Sequence, residues 1–339
     1  MGRFKNALFV APKETAGDPS IARALDWAER NDAALTVVQV LKDLPFFRQY
    51  SHLLDGRLTS AEPGVESSTE VGLGDDERRS ARETMKRNVE ERTENLSQRI
   101  LHALRPGIRA SVKVLAGIPC RAIIREVICG RHDLVMMEAE GRRDEEQTLF
   151  GTISTQLMRK CPCPVWVIKN SQDVMFRDVL AAVNLGSSDG NEEMLNENVL
   201  DVAASIARTD GGRLHVVYCW QGAPERFEGR RRSSVFVKQT QTVSDSFRGV
   251  RRRQYDGLLQ RIDLNCSKIT SHFLDGAPGR MIPELAERQG ADLIVMGAVR
   301  QTGVAGLFKG TTAEQILCNI SCSVLTVKPA AFVSPLKVG

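Results

Sequence analysis

The sequence predicts an α/β protein of two tandem, doubly wound, parallel five-stranded sheets packed as a pseudo-dimer. Three observations predict it. Short, β-branched, nearly continuous apolar runs alternate along the chain with segments of helical periodicity, the pattern of parallel strands covered on both faces. The pattern then repeats: Gly117 and Gly276, Asp133 and Asp292, Gly151 and Gly310, and Cys163 and Cys322 are each 159 residues apart in matching contexts. The length of 339 residues accommodates two domains of ordinary size. Solenoid units recur every ~20–50 residues, so a period this long marks a duplicated domain.

In the first half the apolar runs place strands at about 6–11, 34–41, 110–115, 133–138 and 164–169. Helical segments fall between them at 19–31, 76–104, 119–130 and 151–160. Over 76–104, Ala81, Met85, Leu96, Ile100 and Leu104 recur at helical spacing beneath many charges, which gives an amphipathic surface helix. The second half places strands at 178–185, 213–219, 269–274, 291–297 and 323–328, with helices at 191–209, 245–262, 278–289 and 311–319. This alternation implies right-handed βαβ units in an open sheet. The domains are expected at 1–170 and 176–330, joined by a short linker over about 170–177. Two stretches break the pattern: 43–75, with Pro45, Pro63 and Ser67-Ser68-Thr69, and 220–253, with Arg230-Arg231-Arg232 and Arg251-Arg252-Arg253. Both read as long surface loops, and nearby Glu225, Glu228 and Asp245 dilute the arginine charge.

Bulk properties exclude several function classes. The net charge of +4 and the 5% aromatic content argue against a nucleic-acid partner. No run approaches the ~20 apolar residues of a membrane helix, and the N-terminus carries no secretory pattern, so the expected location is cytoplasmic and no membrane partner is expected. Eight cysteines then read as reduced thiols, and neither Cys161-Pro162-Cys163 nor Cys318 with Cys322 has zinc-site spacing; small buried hydrophobes at the mouth of a core strand are the expectation, and no metal is. His52, His102, His132, His215 and His272 show no ligand spacing to one another in the sequence. No nucleophile elbow, Walker loop, zincin motif or dinucleotide fingerprint is present, which points away from a conventional enzyme and leaves catalytic residues unassigned.

The most informative loop follows the fourth strand of the second half, from Met296-Gly297 through Arg300, Gly303 and Gly306 to Gly310-Thr311-Thr312. In an open parallel sheet, ligands sit beyond the carboxyl ends of strands where strand order reverses. A glycine-rich loop leading into a helix offers backbone N–H donors to phosphate. Thr311 or Thr312 suits the cap of the following helix, and Glu314 its first turn.

This loop, the ending Gly310-Thr311-Thr312-Ala313-Glu314 and the later Cys322-Ser323-Val324-Leu325-Thr326-Val327 resemble the universal stress protein family. The doubling, with Ile168-Lys169 and Ala182-Val183-Asn184-Leu185, resembles its tandem, E-type branch. The resemblance implies an adenine nucleotide alpha hydrolase-like, Rossmann-like fold, a stress-response role, and ATP or AMP as the candidate ligand. Its ATP binders carry Gly-x2-Gly-x9-Gly-Ser/Thr. Here the second half reads Gly297-x2-Arg300-x9-Gly310-Thr311 and the first Glu138-x2-Gly141-x9-Gly151-Thr152. The acidic residue expected after the first strand is Pro12 in one half and Asn184 in the other. Proline has no N–H to offer, and Glu138 with Asp144-Glu145-Glu146 would repel a triphosphate, so any nucleotide is expected in the second half alone. Its candidate site is Asn184, Val216, Met296, Gly297, Arg300, Gly303, Gly310, Thr311 and Thr312, with Val216 as the adenine contact. At most, the resemblance permits weak ATP hydrolysis or self-phosphorylation on Thr311 or Thr312. The alternative is a carrier or sensor of an apolar or anionic small molecule without ATP. A homodimer in addition to the intrachain pseudo-dimer is compatible with either.

Overall fold

The computed structural model describes residues 4–12, 19–41, 75–101, 107–139, 151–168, 175–185, 190–222, 234–261, 268–298 and 312–336. These form β1 (Asn6–Val10), α1 (Pro19–Asn31), β2 (Ala34–Leu41), α2 (Asp75–Leu101), β3 (Ala110–Ala116), α3 (Pro119–Gly130), β4 (Leu134–Glu138), α4 (Thr152–Lys160) and β5 (Val165–Ile168). The second series is β6 (Asp178–Ala182), α5 (Gly190–Asp210), β7 (Arg213–Trp220), α6 (Ser234–Arg261), β8 (Ile269–Asp275), α7 (Pro278–Gln289), β9 (Leu293–Gly297), α8 (Thr312–Cys318) and β10 (Ser323–Val327). The alternation expected from the apolar pattern is therefore present twice.

The chain packs as two compact units, Phe4–Met136 and Met137–Val333, so the division falls within β4. In the smaller unit β1 pairs in parallel with β2, and β2 with β3. Leu8, Phe9, Val37, Val38, Ile123 and Ile124 are fully buried there. Leu96 and Ile100 give α2 its buried stripe; the side chains of Ala81 and Met85, and Leu104 altogether, lie outside the described residues. In the larger unit the order is β5-β10-β9-β6-β7-β8. Among the described residues its strands pair in parallel, β10 with β9, β9 with β6, β6 with β7 and β7 with β8, whereas β5 meets β10 in an antiparallel ladder with Val167 opposite Val324. Each repeat has the same strand order, third-second-first-fourth-fifth, and β5 and β10 close the two series against each other.

The repeat is also visible in single residues. Asp133 accepts the N–H groups of Lys5 and Asn6 at 2.7 and 3.0 Å; Asp292 accepts those of Arg177 and Asp178 at 2.8 and 3.0 Å. In each half a carboxylate before the fourth strand thus anchors the start of the first. Pro119 and Pro278 open α3 and α7 at the position where a missing N–H costs nothing. Gly117 and Gly276, after β3 and β8, sit at φ 132° and 140°, a backbone that side-chain-bearing residues avoid.

One expected loop is otherwise. The helix read as 245–262 spans Ser234–Arg261, so the stretch read as a loop over 220–253 is helical from Ser234 on, and Arg251-Arg252-Arg253 lie in the part that both readings covered and are helical. Arg252 pairs with Asp256 one turn on, and Arg248 and Arg252 both lie over the Phe273 ring, at 5.2 and 5.3 Å. An aromatic ring brought by tertiary packing and a carboxylate one turn along the same helix give these arginines partners on a helix face. Arg230-Arg231-Arg232 and residues 43–74 lie outside the described residues.

Candidate functional site

Strand order reverses between β6 and β9, which run side by side with Ala182 opposite Met296. Chain connectivity puts α5 and α6 over one face of this sheet and α7 and α8 over the other. Beyond Ala182 the chain leaves the sheet through Val183 and Asn184. Asn184 is clamped by the second turn of α5: its N–H donates to Asn196 Oδ1 at 2.9 Å, and Asn196 Nδ2 donates back to its carbonyl at 2.5 Å. The Asn184 carboxamide, exposed to solvent, donates from Nδ2 to the carboxylate of Glu192. Asn196 itself is buried, its carboxamide spent on the Asn184 backbone. The result is a fixed polar group at the carboxyl end of the central strand.

Gly297 ends β9 beside it. A Cβ there would lie 2.7 Å from Leu195 Cδ2, so the absence of a side chain lets α5 pack onto the sheet. Met296 is buried within the β6-β9-β10 ladder, paired with Ala182 and Thr326. Val216 is fully buried on β7, and its carbonyl accepts the Tyr255 hydroxyl at 2.8 Å. Burial pushes the Tyr255 phenol well above its ordinary range, so it remains a donor. Thr312 is the exposed first residue of α8. Arg300, Gly303, Gly310 and Thr311 lie outside the described residues. Of the sequence-derived set, then, Asn184 and Gly297 stand together at the strand ends, while Val216 and Met296 lie deeper in the sheet.

Glu192, Leu195 and Asn196 were not among the residues read from the sequence. The acidic first turn of α5 and an asparagine set beside Leu195, Val199 and Leu200 on an otherwise apolar stripe were the available signals. In the first repeat the corresponding end of β1 differs. The Pro12 carbonyl accepts from Gln39 Nε2 at 3.1 Å, so a neighbouring strand takes up the only hydrogen-bonding group Pro12 has.

A second polar cluster lies on the α7-covered face, toward the amino ends of the strands. Asp178 receives Arg213 bidentately at 2.6 and 2.7 Å and His215 Nε2 at 3.2 Å, while His215 Nδ1 lies 3.1 Å from His272 Nε2. Burial pushes the Asp178 carboxyl up, but its bonds and charges with Arg213 and His215 hold it below the ordinary value. Burial lowers His272, and the nearby His215 and Arg288 lower it further. The histidine spacing that the sequence does not show is created by pairing β7 with β8. Among the described residues no group of three or more His, Cys, Asp or Glu side chains is placed to hold a metal ion. No described helix is long and apolar enough to cross a membrane.

The chain is 29% identical over 303 residues to universal stress protein E of Escherichia coli K12, covering 87% of this chain and 93% of that protein. It is 27% identical to universal stress protein E of Photorhabdus laumondii over 99% of each. Two solved structures share the fold over nearly the whole chain. A functionally unknown protein of Pseudomonas aeruginosa PAO1 matches with TM-score 0.62 at 20% identity, over 97% of this chain and 94% of that one. A universal stress protein of Archaeoglobus fulgidus matches with TM-score 0.62 at 17% identity, over 96% and 99%. Residues 4–169 and 175–328 each match the family model described as the universal stress protein family, and with two such segments in tandem this chain belongs to that family.

Proposed function

We propose that this chain is a stress-response regulatory protein that senses a small ligand, with the binding function in the second repeat, residues 176–330, and residues 1–170 acting as its scaffold. The ligand that fits this reading is an adenine nucleotide, ATP or AMP, entering beyond the carboxyl ends of β6 and β9. The observation that carries it is the Asn184 clamp. A carboxamide that gives one N–H to Glu192 keeps a second N–H and its Oδ1 for a ribose hydroxyl. Glu192 returns a carboxylate to the place where Asn184 replaces the acidic residue of the family's ATP binders. Asn196 fixes the backbone beneath, so the polar group needs no ordering when the ligand arrives. The Pro12–Gln39 contact in the first repeat supports confining the ligand to the second. The residues proposed to complete the site are Gly297, Arg300, Gly303, Gly310, Thr311 and Thr312, with Val216 and Met296 forming its floor.

Calorimetry on the full chain with ATP, ADP and AMP tests this. Saturable heat is expected, and Asn184→Ala should weaken binding about tenfold, the worth of one ligand hydrogen bond. Absence of heat at millimolar nucleotide would remove the nucleotide reading, and unchanged affinity in Asn184→Ala would move the ligand elsewhere.

A further inference from the structure

Two thiols and a buried lysine meet where the last strands of the repeats pair. Cys161 follows α4, and its N–H closes that helix on the Leu157 carbonyl at 2.9 Å. Pro162 turns the chain into β5, and Cys163 Sγ then lies 3.5 Å from Cys161 Sγ. Cys161 is wholly enclosed and Cys163 is 8% exposed. Lys328, just past β10, is 6% exposed; its ammonium donates to the Met158 carbonyl and sits 4.8 Å from the Phe332 ring centre. A buried ammonium calls for a counter-charge. The groups that raise its proton affinity are the sulfurs of Cys161 and Cys163, against burial, which pulls Lys328 down to about 8. Burial likewise pushes the Cys161 thiol up, but hydrogen bonds from the Cys163 thiol and N–H, with the Lys328 charge, bring it below its ordinary value. The two sulfurs and the Lys328 ammonium thus belong to one buried cluster. The second repeat lacks this arrangement: the positions equivalent to Cys161 and Cys163 are Ile320 and Cys322.

We propose that Cys161 and Cys163 form a dithiol modification site for hydrogen peroxide, oxidised to an intrachain disulfide with Lys328 as the proton source. Cys163, the less enclosed of the two residues, loses its proton to solvent, and its thiolate attacks a peroxide oxygen. The O–O bond breaks, Lys328 protonates the departing hydroxide, and Cys163 becomes a sulfenic acid. The Cys161 thiol attacks that sulfur, the S–O bond breaks, and its proton leaves with the hydroxyl as a second water. One peroxide is reduced to two waters, two thiol sulfurs become one disulfide, and Lys328 ends neutral. The backbone permits closure: the bend at Pro162 and Cys163 brings the two Cα atoms closer than the about 6.6 Å that two extended residues span, inside the ~6.8 Å limit for disulfide-bonded Cα atoms, and the sulfurs, 3.5 Å apart, need close only to about 2.05 Å. So small a ring, with a proline inside it, is strained and readily reduced, the character of a regulatory disulfide.

The test treats the full chain with hydrogen peroxide, blocks remaining thiols with N-ethylmaleimide and digests it with trypsin without reductant. Cleavage after Lys160 and Lys169 releases residues 161–169 with both cysteines. That peptide is expected to lose two hydrogens, refuse maleimide and recover both thiols with dithiothreitol. Cys163→Ser should abolish the change. Lys328→Met and Lys328→Arg should both slow it several-fold, since a guanidinium keeps its charge but does not give up a proton, each variant first shown folded by circular dichroism. A peptide carrying two maleimides after oxidation, or a disulfide to another cysteine, would overturn the site. An unchanged rate in Lys328→Met would overturn the role of the lysine.

Discussion

Arg131 ends α3 at φ 53°, where its repeat counterpart Gly290 ends α7 at φ 63°. A side chain in this left-handed conformation costs about 1 kcal/mol, part of which glycine gives back through a freer unfolded chain. Arg131→Gly should therefore stabilise the protein by about 0.5 kcal/mol, read as a higher urea midpoint with unchanged slope. Asp178 carries the opposite kind of sensitivity. Its folded carboxyl titrates below the unfolded value near 3.9, so its contribution is present above pH ~4 and is lost as pH falls through the folded value. Asp178→Asn should cost about 1–2 kcal/mol at pH 7, discounted because the Arg213 side chain is 54% exposed. The gap to the parent should narrow on acid titration. At this scale the sequence announced the repeat positions, and Asp133, Asp292, Pro119 and Pro278 have matching roles in the two halves. It did not announce Asn196, because a polar residue's value depends on which backbone groups the fold brings to it.

Helices and strands were legible because each buries a periodic apolar face. The spans expected for α1, α3, α7 and β2 coincide with those in the structure. The start of α6 was missed because its first turns carry one short apolar run, Val235-Phe236-Val237, and then polar residues, with no apolar stripe at helical spacing to read. What holds α6 to the sheet is Tyr255, fully buried, whose hydroxyl donates to the Val216 carbonyl and accepts the His272 N–H at 3.2 Å. It touches both β7 and the edge strand β8. Tyr255→Phe should cost about 1–2 kcal/mol by leaving backbone groups poorly satisfied, and should speed amide hydrogen exchange along β8 before the inner strands. The histidine pair across these strands adds a pH response. Because His272 is harder to protonate folded than unfolded, stability is full above about pH 6.5 and falls as pH drops through its lowered folded value. His272→Gln should flatten the stability profile between pH 7 and 5, measured by thermal melts across that range.

At the scale of the molecule, the division into Phe4–Met136 and Met137–Val333 predicts that unfolding is not a single two-state event. Trp27 reports the smaller unit and Trp166 and Trp220 the larger, so urea transitions of Trp27→Phe and of a Trp166→Phe, Trp220→Phe double variant should not coincide. One superimposable transition in both would show that the units unfold together. The sequence by itself determined that one α/β pattern occurs twice, which strands and helices compose it, and where the strand-end loops fall. These follow from apolar periodicity and internal repetition, which are local and countable. Only the tertiary structure decided that β5 meets β10 antiparallel, that Glu192 and Asn196 frame Asn184, that His215 faces His272, and that Lys328 lies beside Cys161 and Cys163. Each joins groups distant in sequence, and their chemistry arises from burial and proximity that no single stretch of chain encodes.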